Sequence, residues 1–105
     1  MVNPLSKQPL FAVDSDSLVR DFPFEVIQAQ GIDWNVPIDA FLADAARAGR
    51  RYAALVYGDR SGVNQDGMTI ATPPLEYVEA RSGFKLMRSV SGEDYYVITS
   101  VLSQK

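Results

Sequence analysis

The densest group of chemically capable side chains is the run Gly58-Asp59-Arg60-Ser61-Gly62-Val63-Asn64-Gln65-Asp66-Gly67, with two carboxylates, two amides, a hydroxyl and three glycines. Calcium and phosphate loops are built from such parts, yet the spacing suits neither. A phosphate loop of the Walker type places Lys and then Ser or Thr after its last glycine, and here Met68-Thr69 follow. An EF-hand loop alternates its oxygen ligands and closes with a glutamate six residues past its glycine, and position 73 is proline. The run is expected to be a solvated connection between strands.

A second group is cationic. Arg47, Arg50, Arg51, Arg60, Arg81 and Arg88, with Lys85, are interleaved with Tyr52, Tyr57, Tyr77 and Phe84. Guanidinium groups at phosphates with rings under bases are how single-stranded nucleic acid is held, so these arginines are candidate anion contacts. A pI near 4.7 weighs against nucleic acid, because phosphate contacts supply most of its non-specific affinity. Strand tyrosines also serve more often as cross-strand and core pairs.

The lone tryptophan, Trp34 in Gly31-Ile32-Asp33-Trp34-Asn35-Val36, is the third candidate. It has two readings: a plug at the end of the core, or a docking anchor for a protein partner with Asp33, Asp39 and Asp44 as an acidic rim.

Catalytic options are few. The chain has no histidine and no cysteine, which removes imidazole acid–base chemistry, thiolate nucleophiles and most zinc, copper and iron sites. Neither Asp14/Asp16 nor Glu93/Asp94 sits in an apolar setting that would split an acid from a base, and Glu76 and Glu79 fall on opposite faces of a regular strand. No catalytic residue, metal or cofactor is expected. The expectation is a non-catalytic protein-binding accessory or regulatory module, with a homodimer as one form of partnership. A small carboxylate or tyrosine enzyme and a single-stranded nucleic-acid binder are the alternatives.

At 105 residues the chain has room for one hydrophobic core, and its 47% hydrophobic and 22% charged composition is that of a folded domain. Residues 1–45 carry seven acidic and two basic groups, net −5, whereas residues 46–105 carry eight basic and six acidic, net +2. The change falls at Arg47, Arg50 and Arg51, a polarity that permits head-to-tail association. Met1–Leu10 has no signal-peptide pattern and no segment approaches the ~18 apolar residues of a membrane span, so a cytoplasmic protein without membrane contact is expected.

These side chains must be positioned by a small set of elements. Residues 1–12, with Pro4 and Pro9, read as an extended lead-in, followed by a short turn through Leu18-Val19-Arg20. Phe24–Gln30 fits either a short helix or a strand, and the helix is favoured because Pro23 can open it and a left-handed Gly31 close it. Ile38, Phe41, Leu42, Ala45 and Ala46 recur at helical spacing between Pro37 and Gly49, predicting a second helix with Asp39, Asp44, Arg47 and Arg50 on its outer face. Strands are predicted at Tyr52–Tyr57, Met68–Thr72, Leu75–Arg81, Phe84–Ser89 and Tyr95–Leu102, with Ser82-Gly83 as a two-residue hairpin turn. The expected architecture is one α+β domain, its N-terminal helical segments packed on one face of a mainly antiparallel sheet of four to five strands.

Overall fold

A computed structural model describes residues 22–102. The expected lead-in over residues 1–12 and the turn through Leu18-Val19-Arg20 lie outside the described residues. Helix α1, Phe24–Gln30, forms where expected. The Pro23 carbonyl accepts the N–H groups of Val26 and Ile27 at 3.0 and 3.2 Å, and Val26 and Ala29 turn inward. Gly31 departs from expectation. It is right-handed, with φ −82°, because its own N–H and that of Ile32 close the last turn onto the Gln28 and Ala29 carbonyls.

The expected second helix is a strand. Strand β1, Ala40–Ala48, pairs with β2, Arg51–Tyr57, and a bulge breaks the register between Ala43 and Ala46. Ala40 and Leu42 face one apolar cluster, Phe41 and Ala43 the other, so burial on both faces hides the alternation of a strand. Asp44, with φ 52°, is the inserted residue that resets the alternation. Leu42 and Ala45, three apart, thereby share a face and imitate helical spacing.

Four further strands complete the sheet: β3 Thr69–Ala71, β4 Leu75–Arg81, β5 Phe84–Ser89 and β6 Tyr95–Ile98. The β4–β5 turn is the expected Ser82-Gly83, both residues left-handed at φ 52° and 85° as a tight primed turn requires. The sheet has six strands in the order β3-β2-β1-β6-β5-β4, with β1 and β6 parallel at its centre. It is thus larger than expected and mixed, and the described residues contain one short helix.

That order has a geometric consequence. β3 and β4 are consecutive in the chain yet occupy opposite edges, five strand spacings or about 24 Å apart in a flat sheet. The steps from Ala71 to Leu75 reach about 14 Å at most. The sheet therefore rolls until its edges approach, and the linker ties them. Thr72 N–H bonds the Tyr52 carbonyl at 2.8 Å, Leu75 N–H the Arg50 carbonyl at 2.7 Å, and the Pro74 carbonyl accepts Val90 N–H at 2.9 Å.

The roll makes two cores. Inside it lie Ala40, Leu42, Ala45, Ala54, Val56, Leu75, Met87 and Ile98, with Ile70 packed against them, so all six strands contribute. Three of these are alanines, small enough for the tight curvature. Outside, α1 and the following loop cover Phe41, Ala43, Phe84, Leu86 and Val97.

Thr72 fastens the tie. It is 1% exposed, and its hydroxyl accepts Tyr52 N–H at 3.0 Å while lying 2.8 Å from the Pro73 carbonyl. Thr72→Val keeps the shape and strands the Tyr52 amide, so stability in urea unfolding should fall by about 1–3 kcal/mol.

Candidate functional site

The six arginines do not form one face. Three are matched to carboxylates within the fold: Arg60 with Asp39 at 3.4 Å, Arg81 with Glu79 at 3.2 Å, and Arg88 with Glu76 at 2.6 Å. The last contact raises the Arg88 pKa further above its ordinary value, with the Tyr95 hydroxyl adding to the effect. A bulge at Val78 is what brings Glu76 and Glu79 to the same face. They stand opposite Arg88 and Leu86, which lie two apart on β5, so the opposite-face expectation for the two glutamates fails.

Three further cations gather elsewhere. Arg47 at the end of β1, Arg50 in the β1–β2 turn and Lys85 on β5 border a cleft of about 480 Å³. Tyr52 and Tyr77 supply its rings, Leu75 and Met87 its floor. Both floor residues are core members, 3% and 5% exposed, whereas Tyr77 is 59% exposed. Among the described residues no carboxylate lies within 4.0 Å of the charged groups of Arg47, Arg50 or Lys85. The Arg47 Nε donates to the Gly49 carbonyl at 2.8 Å, fixing the side chain along the turn. Glu76 also lines the cleft, with its carboxylate engaged by Arg88. Arg51 stands apart, reaching the Thr72 carbonyl at 3.4 Å.

The arrangement follows from strand parity. Arg47 lies opposite Tyr52 in the β1–β2 ladder, and Tyr77 lies opposite Met87 in the β4–β5 ladder. Lys85 is two residues from Met87 and so shares its face. The sequence grouped these cations and rings with others. It gave no sign of Leu75 and Met87, which reach the cleft only because the edges are tied.

Trp34 is buried, the first of its two readings. It is 3% exposed, donates Nε1–H to the Ala29 carbonyl at 3.1 Å, and carries the Arg81 guanidinium 5.8 Å from its ring centroid. It plugs the core beneath α1 and presents no ring for docking. Its acidic rim is also dispersed. The Asp33 carboxylate accepts Asn35 N–H, that of Asp39 accepts Tyr95 N–H at 2.8 Å, and Asp44 sits exposed at the β1 bulge.

A smaller notch of about 170 Å³ is bordered by Asp39, Asp59, Asp94 and Tyr96. Burial, then the nearby Asp94, Asp39 and Asp59 charges, raise the Tyr96 pKa and keep the phenol neutral. Asp59 organises the 58–67 loop. Its two oxygens accept the backbone N–H and side chain of both Ser61 and Asn64 at 2.8–3.0 Å, and these bonds, the Asn64 amide foremost, lower its pKa. The Asp-x-Ser spacing of an Asx turn is the local sequence signal for this role. Among the described residues no group of acidic side chains is arranged to hold a metal ion, and no helix is long and apolar enough to cross a membrane. No protein-family model, curated protein or solved structure matches this chain.

Two outcomes are expected. Fluorescence of the lone tryptophan should resist quenching by iodide, and strong quenching would contradict its burial. Asp59→Ala should destabilise the protein at neutral pH. A depressed carboxyl pKa contributes stability above the unfolded value near 3.9 and loses it as pH falls through the folded value. Thermal unfolding should therefore show the gap between wild type and variant closing in acid.

Proposed function

We propose that this protein is a non-catalytic protein-binding module that receives an acidic segment of a partner in the cleft between β4 and the β1–β2 turn. The observation that carries this reading is the contrast among the cations. Arg60, Arg81 and Arg88 each have a carboxylate in the fold, whereas Arg47, Arg50 and Lys85 stand round one concavity without any among the described residues. Carboxylates from outside complete that set. The tyrosine rings and the apolar floor add contact area with little loss of side-chain freedom.

Recognition is favoured over reaction because the chain has neither imidazole nor thiol. A protein ligand is favoured over single-stranded nucleic acid because a nucleic-acid strand needs a track of phosphate contacts. Three cations round one cleft are a short track on a chain of net charge −3.

The test is direct. Wild-type protein should bind fluorescent poly-glutamate in anisotropy titrations, more weakly as salt rises above about 0.1 M. Arg47→Ala with Arg50→Ala should weaken binding about tenfold or more while leaving circular dichroism unchanged. Absence of binding by wild type at low salt overturns the proposal.

A further inference from the structure

We infer that the cleft takes its acidic segment as an added β-strand along the free edge of β4, an inference that rests on the binding reading above and specifies its geometry. β4 is an edge strand of the sheet. Its first residue, Leu75, sends its N–H away from β5 to the Arg50 carbonyl at 2.7 Å, the point at which the rolled edges touch. Backbone groups alternate in direction along an antiparallel strand, so Tyr77 turns its N–H and C=O to that same side. No described backbone group meets them there. Beyond Leu75 the seam opens, and the cleft lies in the opening, with Tyr77 on one lip and Arg47 and Arg50 on the other.

An extended peptide laid in this seam continues the hydrogen bonding that the Leu75–Arg50 contact begins. Its alternate side chains point into the cleft, where their carboxylates reach Arg47, Arg50 or Lys85 and the methylene stems of those same side chains lie over Leu75 and Met87. The bulge at Val78 resets the edge beyond Tyr77 and limits the regular stretch, so the docked segment is short. Backbone bonding supplies affinity without sequence preference, and the three cations select carboxylates.

The probe is a capped peptide of alternating Glu and Val, compared with the same peptide N-methylated at every second residue in either phase. Methylation removes amide donors and leaves charge intact. One methylated phase should bind about tenfold or more weakly than the parent and the other nearly as well, since only one phase faces β4. Hydrogen exchange at the Tyr77 amide should slow about tenfold or more on binding the parent. If the parent binds and both methylated peptides bind equally well, strand addition is overturned and the cleft remains an acidic-peptide site. If the parent does not bind, the functional reading itself fails. Binding of oligo-dT in preference to the peptide, or self-association that the peptide cannot displace, would likewise name the wrong occupant and overturn the inference.

Discussion

The linker from Thr72 to Pro74 is the constraint on which the structure depends. It joins two strands that end on opposite edges of a six-stranded sheet, and it is too short to cross a flat one. Proline suits the position, since Pro73 and Pro74 have no N–H to leave unpaired and hold an extended path at low entropic cost. Thr72 bonds Tyr52 at the start of β2 and Leu75 bonds Arg50 in the turn just before it, so the roll is fixed by hydrogen bonds at its seam. The buried alanines of β1 and β2 are the packing counterpart of this tie, because larger side chains there would hold the roll open.

Curvature also separates charge. The start of β1 and the 58–67 loop carry the notch with Asp39, Asp59 and Asp94, whereas the end of β1 and its turn carry the cleft with Arg47 and Arg50. Carboxylates near the notch are used by the fold itself: Asp39 holds Tyr95 and Arg60, Asp66 holds the Gly58 amide at 2.8 Å, and Asp59 holds its own loop. The cleft cations have no such employment among the described residues beyond the Arg47–Gly49 contact. Exposed ion pairs contribute little to stability, so the paired arginines mainly fix local geometry.

Local patterns in the chain were legible where one rule acted alone. Ser82-Gly83 between apolar runs specified the β4–β5 hairpin, and Pro23 favoured helix for FEVIQAQ, whose pattern also fits a strand. The strand expected at Tyr95–Leu102 forms over Tyr95–Ile98 as β6, between β1 and β5. β1 was illegible for a specific reason. Burial on both faces removes the period of two, and the inserted Asp44 supplies a spacing of three that belongs to helices. The same device on β4, with Val78 inserted, placed Glu76 and Glu79 on one face.

From the order of residues alone come the short-range elements, the lack of imidazole and thiol, and the presence of seven arginines, six of them interleaved with several rings. These depend on interactions within a few positions of each other, or on composition. Which arginines are matched and which border a cleft, whether Trp34 is covered, and which strand edge stays open were decided by the tertiary structure. Each depends on pairings between distant strands, Arg50 with Leu75 and β1 with β6 above all, and on the roll imposed by a linker too short for a flat sheet.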